Sequence, residues 1–191
     1  TQSRSSAASD VYKRQGGKKL RPSRRLRNMA AGILNASQSH IIRHQILQRV
    51  AEETSETVNF VVSGVNGMNY LDRVETNWAF RIQLPIGSSV PFHCTASGKV
   101  FLSSLRKKEC QTLVDSMRLD QYTDHTRITP KALMADIKEC QKLGFAIDKE
   151  EFMVGMIAIA VPVLDTQGNF VAALATHGPS QRMSVTQAKD R

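Results

Sequence analysis

Pro91-Phe-His-Cys-Thr-Ala-Ser-Gly-Lys99 is the stretch on which the reading of this chain turns. The run before it, Ile82 to Ile86, is apolar and is punctuated by Pro85 and Gly87. The run after it, Val100, Phe101, Leu102 and Leu105, is apolar at helical spacing. Between them, Thr95, Ala96, Ser97 and Gly98 are all small. A small-residue loop that opens a helix leaves several backbone N–H groups free, at the positive end of the helix dipole. Two readings follow: an ordinary N-cap at Thr95 or Ser97, or a cradle for an anion or carboxylate.

Working outward, the chain alternates strand and helix patterns. Ile42, Ile46 and Val50, with Leu47 and Ala51 beside them, form a one-sided stripe on a helix of about four turns, capped near Ser37 or Ser39. Met29 to Leu34 reads as helix ahead of it. The stripe is expected to pack mostly into the core of its own chain, with a contact between copies as the alternative. Thr57 to Val62 is β-branched and reads as a strand. Gly64-Val-Asn-Gly67 turns it into a second strand, Met68 to Val74, and Ala79 to Leu84 makes a third. After the cradle helix, Lys107 to Met117 is a short helix and residues 122–129 a polar loop. Thr129-Pro130 is a start pair and Gly144 a stop, so Pro130 to Leu143 is a helix burying Leu133, Ile137 and Cys140. Phe145 to Ile147 is extended, and Asp148-Lys-Glu-Glu151 is an acidic loop. Met156 to Leu164 and Phe170 to Thr176 form a hairpin around Asp165-Thr-Gln-Gly-Asn169. A last helix starts near Ser184. Hairpins with helices to one side predict an α+β domain.

The 191 residues suffice for one sizeable core, and no run approaches ~18 apolar residues, so no membrane span is expected. Cys94, Cys110 and Cys140 are odd in number and lack C-x-x-C spacing. That argues against a disulfide scaffold and against a closed zinc site and fits a reducing cytoplasm. The net charge of +9 is uneven: the first 49 residues hold eleven Lys and Arg against Asp10, and the rest holds 15 bases and 16 acids. A basic arm on a neutral body suits nucleic-acid phosphates or a solvated tail. Residues 1–15 are polar and aperiodic and are expected to be a disordered or artefactual tail.

Tyr70-Leu-Asp-Arg-Val-Glu75, Leu84 to Pro91 and His93-Cys-Thr-Ala-Ser-Gly-Lys99 together resemble the effector-binding domain of IclR-family transcriptional regulators. Gly144 to Phe152, Gly155, Ala158-Ile-Ala-Val-Pro-Val163 and Gly178-Pro179 continue the resemblance in the same order. It covers roughly residues 20–190. It implies a curved antiparallel sheet with flanking helices, similar to GAF and PAS sensor domains. Residues 16–36 then correspond to a basic linker and linker helix, and residues 37–191 to the effector-binding domain with its last helix cut short. A DNA-binding winged helix-turn-helix is expected ahead of residue 16, outside the given sequence. The resemblance further implies a homodimer or tetramer, a small organic-acid effector and no cofactor.

In that family the effector is held by amides of the small-residue loop, by an acid of the D-x-E-E loop and by side chains of the last two strands. These positions are Ala96 and Ser97, then Asp148, then Ala158, Ala175 and His177. Relatives often carry Arg-Cys where this chain has Ile157-Ala158, and small hydroxyl residues at positions 175 and 177. Losing a thiol and a hydroxyl removes hydrogen-bond donors and leaves apolar wall. The expected effector is therefore more apolar than a two- or three-carbon oxo acid: an aromatic or long-chain acid. The plain alternatives are a strand-end His177 facing water and an Asp148 that caps local backbone N–H groups.

A stand-alone binding or hydrolytic domain is the competing class. Cys94, His177 and Asp148 are the residue types of a cysteine hydrolase, but no spacing supports that set, and an enzyme is not expected. His93, Cys94 and His125 lack metal-ligand spacing. Lys99 is not a phosphate-loop lysine, because position 93 is His rather than Gly.

Overall fold

The protein is described from a computed structural model. The structure describes residues 12–14, 20–22, 40–78 and 84–186. Residues 1–45 and 46–191 form two compact units.

In the first unit, β1 (Tyr12–Arg14) pairs antiparallel with β2 (Leu20–Pro22), Lys13 opposite Arg21. Strand β1 thus falls within residues 1–15, the stretch expected to lack regular structure. The rest of residues 1–39, including the Met29 to Leu34 helix and the caps at Ser37 and Ser39, lies outside the described residues.

The second unit is built on a six-stranded, fully antiparallel sheet. Its strands are β3 (Thr57–Ser63), β4 (Met68–Val74), β5 (Ser89–Val90), β6 (Ala146–Lys149), β7 (Met156–Leu164) and β8 (Phe170–Pro179). They lie in the order β5-β4-β3-β8-β7-β6. The sheet is curved, as the α+β sensor-domain expectation required. Of the expected third strand only Leu84 is described, and it is not in a strand. Pro162 is tolerated inside β7 because β6 pairs only with residues 157–160 of it, leaving that side free of ladder bonds.

Helix α1 (residues 40–54) covers one face of the sheet through its second half. Leu47 and Ala51 pack on Val58, with Val50, Phe60, Val74 and Leu174 around them. This corrects the expectation for the stripe: Ile42 is 61% and Ile46 53% exposed, and the buried line runs one residue on, through Leu47, Ala51 and Thr54. The apolar stripe is wider than the strip the sheet can cover, so periodicity alone could not say which edge faces in.

The other face carries α2 (Ala96–Ser104), α3 (Lys107–Ser116) and α4 (Pro130–Leu143). Val100, Leu102, Cys110, Val114, Leu133 and Ile137 pack against Val61, Met68 and the alanines 146, 160, 173 and 175. The alanines present almost no side chain, which lets α2 approach the sheet closely. The α4 boundaries are as expected: Thr129 caps through Ala132 N, and Gly144 closes the helix at φ 78°.

One corner ties the two ends of the sheet region together. Ser55 has φ 56°, and its carbonyl accepts a bond from Trp78 Nε1 at 3.0 Å. The next residue, Glu56, is buried and accepts two bonds from the Arg182 guanidinium, at 2.6 and 2.7 Å. That guanidinium lies 4.4 Å over the Trp78 ring. Among the described residues no helix is long and apolar enough to cross a membrane.

Candidate functional site

The strand registers decide which side chains share the helix-covered face. Asp148 on β6 is opposite Ala158 on β7, Ala158 is opposite His177 on β8, and His177 is opposite Thr57 on β3. A second row runs Ala146, Ala160, Ala175, Asn59 and Arg73. Side chains of directly paired residues lie on the same face of a sheet. Both rows therefore look toward the start of α2.

That start bears out the N-cap reading of the small-residue stretch. Thr95 is the N-cap: its Oγ1 accepts from Gly98 N at 3.1 Å and donates to the Pro91 carbonyl at 2.7 Å. The Ala96 and Ser97 amides are the first two of the helix, which have no carbonyl of their own helix to donate to. Both residues are almost fully buried. Gly98 is required by contact, since a Cβ there would lie 2.2 Å from the Phe92 carbonyl oxygen.

Ala96, Ser97, Asp148, Ala158, Ala175 and His177 all line one cavity, and the structure brings all six together. Its open space is about 30 Å³, room for a water or two. Tyr70, Leu84, Thr95, Phe152, Met153, Met156 and Ile157 complete the wall. Tyr70 was not among the expected site residues; its hydroxyl is kept neutral, pushed up to about 12 by burial. A wider groove of about 450 Å³ lies elsewhere, between Val65, Phe92, Leu113 and Tyr122, and holds none of the six.

Asp148 is 6% exposed, and its Oδ1 accepts from the Glu151 amide at 2.7 Å and the Phe152 amide at 3.4 Å. The local cap and the cavity-lining residue are thus the same side chain. Burial, then the neighbouring Glu151 charge, push the Asp148 carboxyl up to about 7. Glu151 is itself buried and bonds Lys99 Nζ at 2.6 Å. Asp136 lies 3.7 Å from the same ammonium and pairs with Arg127 at 3.0 Å. Lys99 is therefore a buried structural cation that ties α2 to the acidic loop.

His177 is 6% exposed rather than facing water. Its Nδ1 lies 3.1 Å from Asn59 Nδ2. Asn59 is fully buried and was not singled out from the sequence, where one polar residue in a β-branched run carries no mark of its partner.

The hydrolase set does not assemble. Cys94 is fully buried and is not part of the cavity wall. Burial and the Asp148 carboxyl push its thiol far above the ordinary range, so it holds no thiolate at neutral pH. His93 Nε2 is engaged with the Asp120 carbonyl at 2.9 Å.

Comparison with known proteins places the chain. The sequence model for the family described as Bacterial transcriptional regulator IclR C-terminal matches residues 34–190. The Cupriavidus necator protein named Probable transcriptional regulator SauR is 37% identical over 177 residues, covering 93% of this chain and 70% of that protein. The HTH-type transcriptional repressor AllR of Escherichia coli K12 is 29% identical over 164 residues, 82% of this chain and 60% of AllR. Among solved structures, a double mutant of the PobR transcription factor inducer-binding domain from Acinetobacter, in complex with 3-hydroxybenzoic acid, superposes with a TM-score of 0.72. It is 25% identical, over 78% of this chain and 88% of that one. With its curved antiparallel sheet, its flanking helices and a family match over residues 34–190, the chain belongs to the IclR family of bacterial transcriptional regulators, as their C-terminal effector-binding domain.

Proposed function

We propose that this domain senses a small monocarboxylic acid and controls operator binding by a helix-turn-helix attached ahead of it, in a homodimer or tetramer. The observation that carries the ligand reading is the opposition of two helix-start amides, Ala96 and Ser97, to the row Asp148–Ala158–His177 across one cavity. The amides donate to an anion and act through the backbone, so side-chain drift elsewhere in the wall does not remove them. Ala158, Ala175, Ile157, Met153 and Phe152 make most of the rest of the wall apolar. That favours a carboxylate with an aromatic or aliphatic body over a two- or three-carbon oxo acid. Such a body exceeds the 30 Å³ of open space, so binding displaces wall side chains. Met153, 40% exposed on the loop after β6, is the side chain freest to move.

Titration calorimetry of the domain with benzoate, octanoate, pyruvate and glyoxylate tests this reading. Benzoate or octanoate is expected to bind at least tenfold tighter than either oxo acid. Equal or tighter binding of glyoxylate overturns the apolar preference, and no heat from any of the four overturns the carboxylate site.

A further inference from the structure

We propose that Asn59 and Arg73 are positioning residues that lock His177 as the neutral imidazole with its proton on Nε2, so that the cavity meets its ligand with a hydrogen-bond donor. The proposal rests on the cavity being the effector site, and it adds two residues that no part of that reading uses.

The argument begins at Arg73, which is 8% exposed on β4 and stands directly opposite Asn59 on β3. A guanidinium donates and cannot accept. Arg73 Nη1 lies 3.1 Å from Asn59 Oδ1, so that atom is the amide's oxygen. The other end of the amide gives the same answer independently. Asn59 Nδ2 lies 3.4 Å from the Ala175 carbonyl oxygen, which can only accept, so that atom is the NH2 group. The orientation of the Asn59 amide is fixed twice, from opposite sides.

His177 Nδ1 therefore faces an N–H donor at 3.1 Å. A protonated Nδ1 would set two donors head to head, inside a region where all three side chains are more than nine-tenths buried. Nδ1 must accept, and the single proton of the neutral ring sits on Nε2. His177 lines the cavity, opposite Ala158 and in the same row as Asp148. A fixed Nε2–H stands in for the donor that a hydroxyl side chain would supply at this strand position. It differs in that it cannot turn round to accept, so it discriminates against ligands that offer only donors. Arg73 is in turn held through its Nε by Glu75 Oε1 at 2.9 Å, so the chain of constraint runs Glu75, Arg73, Asn59, His177 across three strands.

Long-range 1H–15N correlation of the imidazoles, on protein labelled at histidine nitrogen at pH 7, reads the tautomer without any ligand. His177 is expected to show an unprotonated Nδ1 and a protonated Nε2. Asn59→Asp turns the donor into an acceptor and is expected to move the proton to Nδ1 or charge the ring. Arg73→Met frees the amide and is expected to give a mixture, which keeps the test open if the first variant folds poorly. Benzoate affinity is expected to fall at least tenfold in Asn59→Asp. His177→Gln, which keeps a donor near the Nε2 position, is expected to retain most of the binding that His177→Leu loses. A proton on Nδ1 or an imidazolium in the wild type overturns the proposal. So does a tautomer that changes in Asn59→Asp with benzoate affinity unchanged. Failure of the wild type to bind any acid overturns the effector site instead, while the imidazole spectrum still decides the lock.

Discussion

Asp148 and His177 stand in one cross-strand row, two strands apart, with Ala158 between them. These two polar groups of the cavity wall are thereby spaced by a methyl group, and on the proposed effector reading Ala158 sets the distance that a ligand has to bridge. Ala158→Leu adds three carbons at that point and leaves the Ala96 and Ser97 amides in place. Affinity for benzoate or octanoate is expected to fall by ~1–3 kcal/mol, as when a tight apolar site is overfilled. Calorimetry on folded variant protein checks this, and binding equal to wild type would place the ligand elsewhere.

Asp148 carries a pH dependence of stability with a definite sign. Its folded carboxyl titrates near 7 against an ordinary 3.8, so the unfolded chain ionises first and the folded state is disfavoured as pH rises from about 4 to 7. Asp148→Asn removes that cost while its amide oxygen can still accept from the Glu151 and Phe152 amides. The variant is expected to be more stable than wild type at pH 8, on the order of 2–4 kcal/mol, with the gain shrinking toward pH 5. Urea denaturation at the two pH values measures it. A gain that grows on acidification would contradict the assignment.

Lys99 and Glu151 are each about 2% exposed and 2.6 Å apart. Removing one partner strands the other charge in the interior. Lys99→Met is expected to cost ~3–5 kcal/mol, and the double change with Glu151→Leu clearly less than that. A double-mutant cycle by chemical denaturation separates the two, and additive losses would show that the pair is not coupled.

Gly98→Ala is expected to destabilise the domain by at least ~1–3 kcal/mol, because the new methyl would meet the Phe92 backbone rather than a flexible side chain. Gly178→Ala offers a graded comparison. Its methyl would meet the Glu56 carboxylate at 2.8–2.9 Å and loosen the Arg182 pair. Thermal melts of both variants test the difference.

The elements were legible because their determinants are local. Thr129-Pro130 and Gly144 mark both ends of α4 within the helix itself, and Asp165 to Asn169 announces the β7–β8 turn. The six cavity residues came through the family resemblance, and the strand registers explain why they converge. What stayed hidden depends on partners far along the chain. Asn59 meets His177 across 118 positions and Lys99 meets Glu151 across 52. A lysine after Ala-Ser-Gly reads the same whether it is solvated or buried until the acidic loop is seen folding onto it. The exposed edge of α1 is not legible in its periodicity for a related reason: which stripe turns inward is set by Val58, Phe60 and Leu174 beneath it, not by the helix.

The sheet between α1 and the cavity is a single diaphragm. Along β8, Ala175 and His177 look into the cavity, while Leu174 and Thr176 belong to the opposite side, where Leu174 packs in the α1 cluster. No second layer of side chains cushions the two compartments from each other. The wall residue Ala175 and the α1-side residue Leu174 share one peptide unit, so the cavity and the far side of the sheet are separated by a single residue of backbone.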